Sequence, residues 1–266
     1  MCTRPQISLV IPAYNEEERI VERLRSLTDY FEKSSESYEL IVIADGCTDK
    51  TPELVSKFAE DNHRVRLLVF PERLGKGGAM VEGMKEARGD VVVIADADES
   101  VPPRELFKLV VETRDHDVVI GSRYSKDSRL LVREPFLRYF LGRGFNALVK
   151  LMFWRLRGIN DTQCGAKALK RQVAESISRE LFITGFAVDV NLLYSATRRG
   201  FRVKEVGVEY RHVERGSKVS GALVKLMLGM FFSLVKLRLY YSRLRPILDA
   251  GIMKRFSALL WKLTKA

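Results

Sequence analysis

"VVVIADADES", residues 91–100, decides how the rest of the chain is read. Five apolar residues suited to the middle of a buried strand run straight into Asp96, Asp98 and Glu99. A buried strand has no use for unpaired carboxylates, so a cation is expected where the strand ends.

Working outward, the same pattern recurs. "ISLVIPAY" (7–14), "YELIVIAD" (38–45), "VRLLVF" (65–70), "VVVIAD" (91–96) and "HDVVIGS" (116–122) read as buried strands. Residues 16–33, 50–61, 75–88 and 103–114 place apolar side chains at helical spacing between them. This alternation predicts an α/β fold with a mostly parallel sheet and helices on both faces, a Rossmann-like arrangement. Ligands of such sheets bind at the carboxyl ends of the strands. Those ends are "PAYNEE", "DGCTD", "PERLGKGGA", "DADES" and "GSRY". All five are polar, charged or glycine-bearing, and topology opens all five on one edge.

Each strand end has a chemistry and a plainer alternative. In an extended segment Asp96 and Asp98 point the same way and can share one hard divalent cation with a diphosphate. They could equally cap the helix beginning near Pro102. Arg73 and Lys76, among three glycines at a helix start, offer cations and backbone amides to phosphate. Asp45 either accepts from a nucleobase or ribose or belongs to a turn followed by a helix cap. Tyr14 either lies against a base or is core.

The 266 residues, 46% of them hydrophobic, can bury a full core, and one α/β domain with an appendage fits that length as well as two domains do. The net charge of +11 is uneven. From Glu214 onward eleven Lys or Arg face only Glu214 and Asp249, so nine of the eleven net charges lie on the last 53 residues. A near-neutral body with a cationic end suggests a tail that meets an anionic surface. Cys2, Cys47 and Cys164 are odd in number, widely spaced and without metal-ligand spacing, which argues against a disulfide framework or a zinc site and favours a reducing compartment. No signal-peptide pattern opens the chain, and no 18-residue apolar run requires a spanning helix.

In order, "IPAYNEEERI", "ADGCTDKT", "RLGKGGAMVEGMKEARGD", "ADADES", "GSRY", "DTQCGAKALKR", "GFAVDVNLLYSATRRG" and "RGSKVS" resemble a family 2 glycosyltransferase of the GT-A fold, nearest the dolichyl-phosphate hexosyltransferases. The resemblance spans roughly residues 5 to 220. It implies that Pro12, Ala13, Tyr14, Glu16 and Asp45 contact the nucleotide, and Arg73 and Lys76 remain substrate-binding candidates on the phosphate chemistry above. It further implies that Asp96, Ala97 and Asp98 bind the sugar nucleotide diphosphate, with Asp96 and Asp98 holding Mg²⁺ or Mn²⁺. Arg123, Arg215, Ser217 and Lys218 match positions near the diphosphate or the acceptor phosphate. Asp98, Arg123, Asp161 and Asp189 are the catalytic candidates; Asp161 and Asp189 either orient acceptor or sugar hydroxyls or serve as a turn residue and a buried helix partner. Ala44, Cys47, Ser100, Ala166 and Asn191 depart from common family residues. "DTQCGAKALK" with "GFAVDV" is more similar to the glucosyl than the mannosyl branch, which favours UDP-glucose over GDP-mannose as donor and a polyprenyl or dolichyl phosphate as acceptor.

The basic end completes the expectation. In a helix over 221–243, Lys225, Lys236 and Arg243 share a face, and leucines, methionine and phenylalanine cover most of the rest. After Pro246 a second apolar stripe carries lysines beside it. Residues 1–220 are therefore expected to form the catalytic domain and 221–266 to lie as amphipathic helices on an anionic membrane surface at its cytosolic face, peripheral or monotopic. Packing on the body or in a homo-oligomer is the alternative. Nucleic acid is disfavoured, because the cations alternate with Leu, Phe and Met where a phosphate reader would need polar, stacking residues.

Overall fold

In the computed structural model, residues 5–34, 36–132, 134–213, 219–243 and 245 are described. Five strands form as the apolar runs dictate: β1 (Ile7–Ala13), β2 (Tyr38–Asp45), β3 (Val65–Phe70), β4 (Val91–Ile94) and β5 (Val118–Ser122). Between them lie α1 (Ile20–Phe31), α2 (Thr51–Glu60), α3 (Gly75–Glu86) and α4 (Pro103–Glu112). The later chain adds β6 (Arg129–Val132), α5 (Phe136–Met152), β7 (Lys167–Lys170), α6 (Arg171–Ile177), α7 (Val188–Arg198), β8 (Val203–Gly207), β9 (Glu209–Arg211) and α8 (Val219–Tyr240).

Seven strands make one sheet in the order β3-β2-β1-β4-β7-β5-β8. Every pairing in it is parallel except those of β7, which runs antiparallel between β4 and β5. The insertion matters for the site. It carries residues 161–167 into the gap between the fourth and fifth strand ends. A separate two-stranded pair, β6 with β9, lies beyond that edge.

Alternation along the strands feeds two cores. Val10, Ile41 and Ile43 join Met80 and Met84 of α3 and Leu192 and Leu193 of α7 on one face. Leu9, Ile11, Leu40 and Val42 join Leu24 and Leu27 of α1 and Leu106 of α4 on the other. Each such side chain contributes roughly 1.5–3 kcal/mol when fully buried, which is why helices cover both faces.

Two boundaries differ from the sequence reading for local reasons. The first helix begins at Ile20 because the Glu16 carbonyl accepts the amides of Arg19 and Ile20 in a preceding turn. The fourth strand ends at Ile94, and residues 97–100 bend. There the Asp98 carboxylate accepts the Ser100 amide at 3.1 Å, a local turn that competes with continued pairing.

The described part of the basic end packs partly on the body. Leu234 and Leu237 are buried in the α7-side core, and Tyr241 donates to Glu180 Oε2 at 2.9 Å. The second basic stripe, after Pro246, lies outside the described residues. Among the described residues no helix is long and apolar enough to cross a membrane.

Candidate active site

The site grows from the ends of β1, β2 and β4. Asp45, the last residue of β2, is buried and accepts the Leu74 amide at 2.5 Å and the Gly75 amide at 2.9 Å. Both carboxylate oxygens thus hold the start of α3, where the helix dipole favours negative charge. The Gly77 amide is likewise engaged, by the Thr184 carbonyl at 2.8 Å. Three of the amides at this helix start, those of Leu74, Gly75 and Gly77, therefore already have protein partners. Gly77 is demanded by proximity, since a Cβ there would meet the Ile183 carbonyl oxygen at 2.0 Å.

What the α3 start projects is cations. Arg73 is exposed and its guanidinium lies 3.6 Å from the centroid of the Tyr14 ring, a cation–π contact that joins the third and first strand ends. Pro12 and Ala13 end β1 beside them. Glu16 is buried and accepts from Arg19 Nε at 2.5 Å, so it acts through the turn that starts α1. Lys76 Nζ donates to Asp96 Oδ1 at 3.0 Å and stands 3.8 Å from Asp189 Oδ2. Burial disfavours its charge, but Asp96 and Asp189 outweigh that and leave the ammonium above its ordinary value. The Asp96 carboxyl, pushed up by desolvation, is pulled down further by Lys76 and stays below its ordinary value.

Asp96 and Asp98 line one crevice with Arg23, Ala95, Gly165 and Ala166, while Ala97 between them is buried in the sheet's other core. Their meeting arises from the bend, since the segment is not extended. The capping alternative does not occur: α4 starts without a side-chain cap. Among the described residues no three His, Cys, Asp or Glu side chains cluster as metal ligands. Two carboxylates nevertheless suit Mg²⁺ or Mn²⁺, hard ions that take remaining oxygens from water and substrate phosphates. Asp96 and Asp98 could hold such an ion; Ser100 is buried and its backbone carbonyl accepts the Arg211 amide, so it braces the bend.

Three supports of this carboxylate pair escaped the sequence reading. Arg23 is 1% exposed, donates to the Val101 carbonyl at 3.1 Å, and lies in the field of Asp98, Glu99 and Asp96. Its signal was a cation on the apolar stripe of Ile20, Leu24 and Leu27. Lys167, in β7, is also 1% exposed; it pairs with Asp189 Oδ1 at 2.7 Å and donates to the Cys164 carbonyl. The chain Asp96–Lys76–Asp189–Lys167 thus links the fourth strand end to α7 with balanced charge. Gly165 is the third, because a Cβ there would fall 1.7 Å from Asp96 Oδ2.

The fifth strand end forms a second cluster. Arg123 Nε and Nη2 grip Asp161 at 2.8 and 3.0 Å, and Nη1 donates to Glu134 at 2.7 Å. Tyr124 and Tyr210 flank the guanidinium at 5.2 and 5.4 Å. Burial opposes the Arg123 charge, yet Asp161 holds the guanidinium well above its ordinary value. Burial also pushes the Asp161 carboxyl up, and Arg123 more than reverses it. Asp161 is enclosed and also accepts the Gln163 amide, so it orients Arg123 and is not open to a sugar hydroxyl. Asp189, 2% exposed, is similarly a partner of cations. Asn191 is buried and accepts the Phe182 and Ile183 amides, bracing the loop over α3. Arg215, Ser217 and Lys218 lie outside the described residues.

Residues 8–178 match the glycosyl transferase family 2 pattern. A dolichyl-phosphate beta-glucosyltransferase of Trichomonas vaginalis is 30% identical over 251 residues, 90% of this chain and 75% of that protein. One from Drosophila melanogaster is 34% identical over 238 residues, 84% of this chain and 72% of the relative. The glucosyl-3-phosphoglycerate synthase of Mycobacterium tuberculosis, in complex with Mn²⁺, UDP and glucosyl-3-phosphoglycerate, superposes with a TM-score of 0.67 at 20% identity, covering 88% of this chain and 80% of that one; the likeness is one of fold.

Proposed function

The chain belongs to glycosyl transferase family 2, and on that premise we propose that it transfers a hexose, with glucose favoured, from a nucleotide sugar to a polyprenyl phosphate such as dolichyl phosphate, inverting the anomeric centre. What carries the reading is that relatives named dolichyl-phosphate beta-glucosyltransferase align with 84% and 90% of the chain, well beyond the family segment at 8–178. UDP-glucose is the preferred donor on the same ground. GDP-mannose with the same lipid, or a non-lipid acceptor, is the alternative.

In this reading Tyr14 and Arg73 meet the nucleoside, and Lys76, braced on its other side by Asp189, faces the diphosphate. Asp96 and Asp98 would hold Mg²⁺ or Mn²⁺, whose charge, when bound, favours departure of the nucleoside diphosphate. Gly165 and Arg23 keep the two carboxylates in place. Arg123 draws the acceptor phosphate to the fifth strand end, with Asp161 and Glu134 fixing its orientation. One phosphate oxygen of the acceptor attacks C1, forming the new C1–O bond as the bond from C1 to the diphosphate breaks on the opposite face. A phosphate monoester is already anionic at neutral pH, so positioning and charge neutralisation matter more than a general base. Arg215, Ser217 and Lys218 complete the phosphate contacts.

Residues 1–220 act as the catalytic domain and 221–266 as an amphipathic segment anchored on the body by the last turns of α8, at the cytosolic face of a membrane. The test is incubation of the protein and membranes with labelled UDP-glucose and GDP-mannose, followed by extraction and identification of the lipid-linked sugar. Label confined to the aqueous phase with every donor would defeat the lipid acceptor.

A further inference from the structure

The catalytic body carries a large apolar surface that the site does not use. All four residues of β6 are exposed, three of them Leu130, Leu131 and Val132. The outer face of α5 continues it with Phe136 at 81%, Leu137 at 57% and Phe140 at 66% exposure. Leu151, in the last turn of α5, is 76% exposed, and Trp154, just past its end, 73%. A groove of about 260 Å³ lies between α5 and α8, lined in part by Phe140, Leu148, Met227 and Phe231. So many large apolar side chains exposed on one segment mark a protein or membrane contact.

Charge decides between these. From Lys126 to Arg157 the chain has eight Lys or Arg against two acids, Asp127 and Glu134. Glu134 is spent on Arg123 at 2.7 Å. Lys126, Arg129, Arg138, Arg143, Arg155 and Arg157 are all exposed among these apolar residues. An apolar surface interspersed with cations complements the acyl boundary and head groups of an anionic leaflet. Trp154 has the amphipathic ring that favours such a boundary. The location also fits. Glu134, just before α5, grips Arg123, and Tyr139 packs on Tyr124 with ring centroids 5.8 Å apart, so the surface borders the second cluster of the site.

We propose that β6, α5 and Trp154 form a bilayer-docking face built into the catalytic body, which inserts into an anionic leaflet independently of the basic tail. The inference rests on the lipid-phosphate reading for its purpose: it brings Arg123 to the level of the head groups, where a lipid phosphate resides. The bilayer's identity as occupant does not depend on which sugar is transferred.

The experiment uses the full chain with two kinds of vesicle, phosphatidylcholine alone and phosphatidylcholine mixed with phosphatidylserine. The triple variant Phe136→Ser, Leu137→Ser, Phe140→Ser should lose at least ~10-fold in partition to the mixed vesicles, since each buried methylene adds to insertion. Arg138→Glu should lower binding to the mixed vesicles and leave the weak binding to phosphatidylcholine unchanged. A control at the exposed Val111 of α4, Val111→Ser, should bind as the parent does. A second measurement needs no loss of binding: in Trp261→Phe the single tryptophan is Trp154, and brominated acyl chains should quench it. Parent-like vesicle binding by the triple variant, or an unquenched Trp154, overturns the proposal. So does a vesicle-free dimer that the triple variant converts to monomer, since a second copy then covers the face. Transfer to a short-chain, detergent-soluble polyprenyl phosphate separates the two readings. Parent transfer with no Trp154 quenching sinks the docking face alone, whereas quenching without transfer to any lipid phosphate sinks the enzymatic reading alone.

Discussion

The edge formed by β1, β2 and β4 and the region from β5 to α8 handle charge in opposite ways. At the first, cations and carboxylates stay partly open: Asp96 keeps 38% of its side chain exposed beside Lys76, and Arg73 reaches solvent over Tyr14. At the second, the carboxylates are sealed: Asp161 and Asp189 are 0% and 2% exposed, held by the partly open Arg123 and by the buried Lys167. Exposure goes instead to Phe136, Phe140 and Trp154. The lesson is that one half presents chemistry through several open polar side chains, whereas the other encloses its carboxylates as scaffold, leaves Arg123 as a partly open cation, and presents an apolar surface.

The largest way to break this contrast is Lys167→Met. Removing one partner of a sealed pair leaves Asp189 with Lys76 alone, and the variant should lose about 3–5 kcal/mol of stability in urea unfolding. A loss below about 1 kcal/mol would make the pair a solvated one and erase the distinction. Asp98→Asn should behave in the reverse manner. Its stability should hold while transfer falls at least ~100-fold, the scale of removing one preorganised electrostatic group, and full turnover of the parent in EDTA would contradict the role given to the Asp96 and Asp98 pair.

Arg73→Ala sharpens the comparison at smaller scale. Losing one exposed charge-assisted contact should raise KM for the sugar nucleotide by about 10-fold with unchanged melting temperature. An unchanged KM would mean that the stack on Tyr14 does not read the nucleotide.

The smallest effect is a pH-dependence of stability. The folded Asp161 carboxyl lies below its ordinary 3.8, so the Arg123 pair contributes fully above that value and is lost as pH falls through the lower folded value. The stability gap between the parent and Asp161→Asn should therefore be constant from neutral pH down to about 4 and shrink below it. A gap that stays level to pH 2 would show that the carboxylate charge is immaterial. Cys164 offers a control for enclosure: burial pushes its thiol up to about 12, so it should resist alkylation at pH 8 until the fold opens.

Local pattern was sufficient for much of the first half. Strand runs such as "YELIVIAD" are buried along their full length, and period and apolarity are properties a sequence displays directly. The same holds for the polar strand ends, because topology alone sends them to one edge. The reading weakened where the decisive partner is distant in sequence. Asp45 looked like a ribose acceptor or a cap, and its occupation by the Leu74 and Gly75 amides depends on how β3 returns beside β2. Residues 129–154 drew no functional reading, since a run such as "LRYFLGRGF" looks like core until packing buries Phe145 and leaves Leu137 and Phe140 bare.

By itself, then, the sequence determined the alternating strands and helices, the carboxylate pair at the fourth strand end, the resemblance to family 2 glycosyltransferases and the cationic tail, because each is written in residue type and short-range spacing. Only the tertiary structure decided that β7 enters antiparallel between β4 and β5, that Lys167 and Lys76 share Asp189, that Gly165 leaves room for Asp96, and that α5 turns Phe136 and Phe140 outward. The physical reason is common to all four. Burial and ion pairing are set by what lies opposite a side chain, and in this fold the opposite residue comes from an element tens of residues away.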